Sequence, residues 1–346
     1  MESYAHQLYE HAGDRGVEFV GLASTELMAR GAPWFPGELV PSGVSGESRV
    51  AWAAGEILKV SAAATRAGAD LIHCPANIGP WSGTIPVVLT VHDLLPFRHP
   101  EFLPGPYGPV LRTLVRRAVA HATRIITISE HSRVDLDEVL HPRAAIDVIP
   151  LAGGTPVPPV VTRREGSLLL ALGNRLPHKN FERLLAALAG IPESARPTLI
   201  LTGGGGDDDP LRQVVARLRL ERWVELAGWL APDEVEALYA RATAVIIPTL
   251  FEGFGLPVLE AMSRSCPVIC SDLPVLRELA GDSAVYFDPL QTDSISTAIV
   301  TTLAKPSLLA ELASRGLVRS RGYSWLRTAE STIETFYRAL DRRHRE

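Results

Sequence analysis

Ala244-Val-Ile-Ile-Pro-Thr-Leu-Phe-Glu-Gly-Phe-Gly-Leu-Pro-Val-Leu-Glu260 is the most informative segment of this sequence. It begins with a short apolar run, which predicts a buried parallel strand. A Gly-Phe-Gly turn follows, and Pro257 fits the first turn of a helix because its missing N–H group is not needed there. Gly253 and Gly255 let the backbone come close to a ligand. A strand, a glycine turn and a helix N-terminus in this order predict an anion site in an α/β fold.

Glu252 and Glu260 place two carboxylates eight positions apart in this segment. Ionised carboxylates only accept hydrogen bonds, so they suit the hydroxyl groups of a ribose or a hexose. With phosphate at the helix N-terminus and both glutamates facing one cleft, the pair predicts a sugar-nucleotide site. The alternative is a glycine turn with two solvated glutamates at a helix start, where the helix dipole also favours them.

Short apolar runs alternate with helical patterns along the 346 residues, which predicts parallel, doubly wound α/β sheets in about two domains. Leu151–Val160 is rich in proline and glycine and is the best linker candidate. Ligands of open α/β sheets bind at the carboxyl ends of strands, so two such domains facing each other predict a deep cleft. The predicted strands are Val17–Gly21, Leu71–His73, Val87–Val91, Ile125–Ser129, Ile146–Ile149, Leu168–Leu172, Thr198–Thr202, Val224–Leu226, Val245–Ile247, Val268–Cys270 and Ala284–Phe287.

The loop after the predicted strand Leu168–Leu172 carries cationic candidates for binding a diphosphate. Arg175 and Lys179 lie at this strand end, directly before a predicted helix, and such cations suit phosphate oxygens. Gly173 and Asn174 precede them and are predicted to contact the donor as well. A solvated basic loop is the alternative.

Further donor-side candidates lie at two other strand ends. Gly203 directly follows the strand Thr198–Thr202, where a glycine allows the backbone to approach a nucleotide. A flexible surface loop fits the glycine run that follows at least as well. The turn in the first quoted segment supplies the remaining candidates, which are Gly253, Phe254, Gly255 and Leu256.

His92 and Asp93 form a titratable pair at the end of the predicted strand Val87–Val91. His92 is a catalytic candidate because histidine can donate or accept hydrogen bonds with sugar hydroxyls at neutral pH. Asp93 and Ser129, each at a strand end, are acceptor-side candidates. The alternative is a structural His–Asp pair that caps a turn.

Composition narrows the classes of partner. The net charge of −5 gives no reason to invoke nucleic acid. The three cysteines predict small buried hydrophobes in a reduced, cytoplasmic protein, and no signal peptide or membrane-length apolar run is visible. No metal-ligand cluster stands out. A basic helix from Arg112 to Arg124 predicts either peripheral contact with the inner face of a membrane or, more simply, a helix packed on the sheet.

The chain resembles the retaining glycosyltransferases of family 4, group 1 enzymes with the GT-B fold, in Pro248–Met262, Pro267–Asp272 and Ala280–Ala284. The resemblance implies an acceptor-side domain in residues 1–155, a nucleotide-sugar domain in 156–322, and a helix in 323–346 that crosses back to the first domain. It also implies retaining transfer of a hexose from a nucleoside-diphosphate sugar, with GDP-mannose as the first choice. The acceptor would be a hydroxyl on a glycan, a lipid-linked molecule or a small molecule, and no further cofactor would be required.

The resemblance also implies a role for each main site residue. Lys179 and an arginine would neutralise the departing diphosphate, and such a cationic site can replace Mg²⁺. Asn174 stands where the family often has that arginine, with Arg175 one position later. Glu260 would hold the ribose, Glu252 the sugar, and His92 would lie close to the transferred sugar.

The N-terminus departs from the family pattern. A strand and a glycine-rich loop usually precede the helix that begins at Tyr4-Ala-His-Gln-Leu8, and here only Met1-Glu-Ser3 does. We therefore expect the first sheet to lack its central strand, and an extended chain to be more stable and more active. Two other functions stay open, namely a nucleotide-sugar epimerase on the same fold and a truncated, inactive nucleotide-sugar-binding protein.

Overall fold

The computed structural model describes residues 2–13, 15–153, 167–205 and 208–341. They belong to two compact units, Met1–Leu151 with Trp325–Glu346, and Ala152–Ser324. The predicted domain limit after residue 155 and most of the predicted linker lie outside the described residues, so the domain limits stay a prediction.

In the described part of the first unit there are two parallel sheets. One has two strands, β1 (Val20–Ala23) and β2 (Glu38–Pro41); the other has four in the order β3 (Ile72–Cys74), β4 (Val87–Val91), β5 (Arg124–Thr127) and β6 (Ala145–Val148). The helices of this unit are α1 (Glu2–Ala12), α2 (Thr25–Arg30), α3 (Arg49–Leu58), α4 (Val60–Ala67), α5 (Leu95–Arg98), α6 (Tyr107–His121), α7 (Glu130–Leu140) and α15 (Trp325–Asp341).

The core of the first unit is built on β4, whose five residues are all buried. Helix α15 packs against α1, β4 and β5, so the last helix of the chain belongs to this unit. Thr328 of α15 donates a hydrogen bond to the carbonyl of Pro150 at 2.7 Å. Helix α15 therefore closes one face of the four-stranded sheet.

The described residues of the second unit form one parallel sheet of six strands, all of them predicted from apolar runs. Its order is β12-β11-β10-β7-β8-β9, from β7 (Leu168–Leu172), β8 (Thr198–Thr202), β9 (Val224–Leu226), β10 (Ala244–Ile247), β11 (Val268–Ser271) and β12 (Ala284–Phe287). The helices are α8 (Phe181–Gly190), α9 (Leu211–Arg217), α10 (Pro232–Arg241), α11 (Leu256–Ser263), α12 (Pro274–Ala280), α13 (Thr292–Leu303) and α14 (Pro306–Ser320). This is the Rossmann strand order, and its direction of winding reverses between β7 and β10, where such sheets bind ligands.

Candidate active site

Lys179 and Glu252 meet at the point where the second sheet reverses its winding. Lys179 follows β7, Glu252 follows β10, and these two strands are paired in the sheet. The Nζ atom of Lys179 donates to Oε1 of Glu252 at 2.7 Å. The side chains are only 17% and 13% exposed. The structure thus brings two predicted catalytic residues together as a largely buried ion pair.

Hydrogen bonds from side chains to backbone carbonyls hold the loop of Lys179 against the loop after β10. Asn180 has a φ of 58°, in the left-handed region that asparagine tolerates. Its Nδ2 atom donates to the carbonyls of Pro248 and Pro289, each at 2.9 Å. The hydroxyl of Thr249 donates to the carbonyl of His178 at 3.1 Å. No role was predicted for Thr249, although a polar residue two positions after an apolar strand was a signal for it.

Gly255 is required by the shape of the turn that follows Glu252. Its φ is 97°, and a Cβ atom there would lie 2.5 Å from a side-chain carbon of Leu276. Helix α11 begins at the next residue, Leu256, with Pro257 in its first turn. Phe254 is buried and packs edge-to-face on Tyr323, with ring centroids 6.1 Å apart. The predicted strand, glycine turn and helix start are therefore all present.

Glu260 lies on α11 in a separate network from Glu252. The hydroxyl of Tyr239 donates to Oε2 of Glu260 at 3.1 Å. The guanidinium of Arg264 lies 4.7 Å from the Tyr239 ring and forms a bidentate ion pair with Glu236. Burial raises the pKa of Glu260, although Arg264 and the Tyr239 hydroxyl favour its ionised form. The described contacts thus connect Glu260 to α10, whereas Glu252 is connected to Lys179.

Arg175 points into the ends of β7 and β8. Its Nε atom donates to Oδ2 of Asp209 at 2.8 Å. Its Nη1 atom donates to the carbonyls of Gly173 and Thr202, at 3.0 and 2.9 Å, and Nη2 donates to Leu201. The side chain is 9% exposed. These contacts favour a structural role, because phosphate binding by Arg175 would require several of them to break.

The other donor-side candidates lie around these strand ends. Gly203 has a φ of 83°, and a Cβ atom there would lie 2.8 Å from the carbonyl oxygen of Gly173. The backbone N–H of Gly203 donates to the carbonyl of Gly228 at 3.1 Å. Asn174 accepts a hydrogen bond from the N–H of Leu176 through its side chain, at 3.4 Å. The glycines therefore allow the ends of β7, β8 and β9 to come close together.

His92, in the first unit, is held by hydrogen bonds on its ring and its backbone. Its Nε2 atom lies 2.8 Å from the carbonyl oxygen of Pro75. The ring of Tyr4 meets the imidazole edge-on, with centroids 4.8 Å apart. Burial lowers the pKa of His92 to about 4, so the imidazole is neutral at neutral pH. Because a carbonyl only accepts hydrogen bonds, the ring proton lies on Nε2 and Nδ1 is an acceptor.

Asp93 and Ser129 each accept a backbone hydrogen bond at the start of a helix near His92. Oδ1 of Asp93 accepts from the backbone N–H of Leu95 at 3.0 Å, at the start of α5. Ser129 is the N-cap of α7, and its hydroxyl oxygen accepts from the N–H of Ser132 at 3.0 Å. These two predicted acceptor-side residues therefore shape the loops that follow β4 and β5.

The basic helix is shorter than predicted. Helix α6 ends at His121, and Arg124 is the first residue of β5, where its guanidinium pairs with Asp147 at 2.8 Å. The prediction that Arg124 belongs to the helix is therefore wrong, because strand pairing and this ion pair hold it in the sheet. Arg116 and Arg117 lie over the rings of Phe97 and Trp81. Membrane contact through this helix stays a prediction.

The described residues contain no arrangement typical of a metal site or of a membrane span. Within the described ranges, no group of three or more His, Cys, Asp or Glu side chains is placed to hold a metal ion. Independence from metals stays a prediction. None of the helices in the described part of the chain combines the length and apolar character needed to span a membrane.

Comparison with known proteins defines the class. Residues 159–317 match the family model for glycosyl transferases group 1, and residues 1–152 match that for glycosyltransferase family 4. The chain is 31% identical over 264 residues to an O-antigen chain mannosyltransferase B of Escherichia coli, covering 72% of this chain and 69% of the relative. It is 25% identical over 374 residues to an MMP alpha-(1->4)-mannosyltransferase of Mycolicibacterium hassiacum, covering 99% and 91%.

Solved structures confirm the GT-B fold. A sucrose-phosphate synthase from Thermosynechococcus elongatus matches with a TM-score of 0.78 at 19% identity, over 98% of this chain and 92% of that chain. Anabaena Alr3699/HepE in complex with UDP and glucose matches with a TM-score of 0.72 at 22% identity, over 97% and 95%. The fold and the two family models together define a glycosyltransferase of the GT-B class. More closely, the chain belongs to the group 1 glycosyltransferases.

Proposed function

We propose that this enzyme transfers a hexose from a nucleoside-diphosphate sugar to a hydroxyl group of a glycan acceptor, with retention of the anomeric configuration. Mannose from GDP-mannose is the first candidate, because both relatives described above are mannosyltransferases by name. The observation that carries the proposal is the Lys179–Glu252 ion pair at the reversal point of the six-stranded sheet. It combines a cation for the diphosphate with a carboxylate for sugar hydroxyls.

Lys179 would stabilise the negative charge that grows on the departing diphosphate. An ammonium group has three N–H donors, so Lys179 can keep its bond to Glu252 while it binds a phosphate oxygen. In a largely buried site this attraction is stronger than in water. The lysine therefore supplies the cation that Mg²⁺ supplies in other sites, and we expect transfer to proceed without a divalent metal.

The two glutamates and His92 would bind hydroxyl groups. Glu252 uses one oxygen for Lys179 and keeps the other as an acceptor for the hexose. Glu260 keeps acceptor capacity for the ribose while Tyr239 binds Oε2. His92 offers Nδ1 as an acceptor to a hydroxyl of the transferred sugar, since its proton is held on Nε2.

The first experiment identifies the donor. Thermal unfolding would be measured with GDP, GDP-mannose, UDP-glucose and ADP-glucose, each with and without EDTA, because a bound ligand raises the unfolding temperature by mass action. We expect GDP and GDP-mannose to raise it most, with no effect of EDTA. If none of the four ligands raises the unfolding temperature, the proposal is wrong.

The second experiment separates transfer from the alternatives. A transferase releases nucleoside diphosphate only when an acceptor is present, and a retaining enzyme gives a product with the donor's anomeric configuration, visible in NMR coupling constants. An epimerase would convert the donor without an acceptor, and an inactive protein would bind it without turnover. No described contact favours either alternative.

A further inference from the structure

Asn77 forms side-chain hydrogen bonds with the backbone of His92 and of the next residue, Asp93. It lies between β3 and β4, with a φ of 53°. Its Oδ1 atom accepts from the backbone N–H of His92 at 2.7 Å, and its Nδ2 atom donates to the carbonyl of Asp93 at 3.4 Å. Its own backbone N–H donates to the carbonyl of Thr90 at 2.8 Å. One asparagine thus fixes the chain where β4 ends.

The same loop fixes the ring of His92. Pro75, two residues before Asn77, accepts the Nε2 hydrogen of the imidazole at 2.8 Å. The backbone carbonyl of His92 accepts from the hydroxyl of Ser132 at 3.3 Å. Backbone and ring of His92 are therefore both held, and the loop that carries Pro75 and Asn77 provides the contacts to its N–H and its ring. A movement of this loop would change the ring's orientation and the nitrogen that carries its proton.

The backbone conformation alone does not require an asparagine at position 77. Glycine adopts a positive φ at no steric cost and would allow the same turn. In the described structure, the side-chain amide of Asn77 forms hydrogen bonds with the N–H of His92 and the carbonyl of Asp93. Glycine could form the turn but could not form these two hydrogen bonds, so the side chain of Asn77 influences the geometry of His92.

We propose that Asn77 is a positioning residue for the transfer reaction, which holds His92 so that Nδ1 faces the substrate as a fixed hydrogen-bond acceptor. This inference rests on the proposed role of His92 at the sugar. Asn77 itself touches no reacting group. Its effect passes through the peptide N–H of His92 and through the loop that carries the carbonyl of Pro75.

The test replaces Asn77 by glycine and by aspartate. Asn77→Gly keeps the backbone conformation and removes both side-chain hydrogen bonds, whereas Asn77→Asp keeps the acceptor for the His92 N–H. His141→Gly is the matched control, because His141 is another residue with positive φ, 45°, in the same unit, at the end of α7. The readouts are kcat and the donor KM with GDP-mannose, and the ¹⁵N resonances of the His92 ring.

We expect Asn77→Gly to lower kcat at least tenfold, to change the donor KM less than twofold, and to move the ring resonances from one fixed tautomer to an average of two. Asn77→Asp should keep more of kcat, and His141→Gly should behave as wild type. Unchanged ring resonances in Asn77→Gly would overturn the positioning role, and changed resonances with full kcat would overturn its link to the reaction. If the wild-type protein transfers no sugar, the proposed function fails, while the ring resonances still decide whether Asn77 holds His92.

Discussion

Lys179 and Glu252 lie 73 positions apart in the chain, and their pairing depends on the order of the strands. Each residue was predicted as a site residue from its own loop. Their contact follows from the adjacency of β7 and β10, which brings two strand ends together at the reversal of the sheet. At the residue scale, we expect donor binding and transfer to depend on Lys179 and on the contacts that hold Glu260.

Lys179→Ala should lower kcat far more than it weakens donor binding. The leaving-group charge that Lys179 offsets is greatest in the transition state, and loss of one charged donor of this kind costs roughly 10²–10³ in kcat. The measurements are kcat and the donor Kd by calorimetry. Lys305→Ala is the control, because Lys305 is an exposed lysine of the same unit. A raised KM with kcat intact would show that Lys179 binds only the ground-state phosphate.

Tyr239→Phe should weaken donor binding by about tenfold, because Glu260 loses the hydroxyl that orients it, a bond worth on the order of 1–1.5 kcal/mol. That hydroxyl also lowers the pKa of Glu260, so its removal raises the pKa further and donor affinity should fall more steeply as the pH is lowered. Affinity would be measured by calorimetry from pH 5 to 8. In Glu260→Ala the same tyrosine change should have no further effect.

Tyr286→Phe provides the matched control for this experiment. Its hydroxyl also donates a hydrogen bond within the second unit, to the carbonyl of Gly281 at 2.6 Å, away from Glu260. Loss of donor affinity in Tyr286→Phe would mean that the effect of Tyr239→Phe is general destabilisation. An unchanged affinity in Tyr239→Phe would remove Tyr239 from the site.

At the scale of secondary-structure elements, the side chain of Arg175 links the ends of β7 and β8. Arg175 joins the carbonyls that terminate β7 and β8 to Asp209, whose Oδ1 atom also accepts from the N–H of Leu211 at the start of α9. Two strands and one helix are thus joined through a single buried ion pair.

Arg175→Ala should destabilise the second unit without abolishing donor binding. Removal of one partner leaves the buried Asp209 carboxylate unpaired, which costs about 3–5 kcal/mol. The unfolding temperature should therefore fall clearly, and the double variant with Asp209→Asn should be less destabilised than the sum of the two single variants. The donor Kd of the folded protein should change less than threefold. A large loss of donor affinity at unchanged stability would instead identify Arg175 as a phosphate ligand.

The elements differ in how well the sequence predicted them, for physical reasons. The second unit's strands were predicted closely because continuous apolar runs such as Leu168–Leu172 are typical of buried parallel strands. The strand β2 was missed, because Glu38–Pro41 is short, partly exposed and ends in proline. The first strand was predicted at Val17–Gly21 and occurs at Val20–Ala23, in a separate small sheet with β2.

At the scale of the whole molecule, the alternation of apolar runs and helical patterns was enough to predict the fold class. The same fold occurs in a sucrose-phosphate synthase of only 19% identity, so the pattern of burial matters more than individual residues. The side-chain networks were not predictable in this way. The contacts of Asn77 and Arg175 join segments that are distant in sequence, and their geometry depends on tertiary packing.

Stability of the first unit should decrease as the pH is lowered from 6.5 towards 4. Burial lowers the pKa of His73 to about 3 and that of His92 to about 4, from an ordinary value of 6.5. In this range the unfolded chain therefore binds more protons at these two sites than the folded chain, and acid favours unfolding by about 1.4 kcal/mol per pKa unit for each. Glu56 acts in the opposite direction between pH 4.5 and 7, because burial raises its pKa to about 7.

Together His73 and His92 change the free energy of unfolding more than Glu56 does. The first unit should therefore be more stable at neutral pH than at acid pH. We expect hydrogen exchange of the β4 amides, corrected for intrinsic rates, to show lower protection free energy at pH 5 than at pH 7. His73→Gln should remove a substantial part of this dependence, because glutamine can still bind Tyr9 and Thr90, which contact His73 at 2.9 Å each, without taking up a proton. His141→Gln, at an exposed position, should leave the dependence unchanged. Equal protection at both pH values in the wild-type protein would contradict the lowered pKa values of His73 and His92.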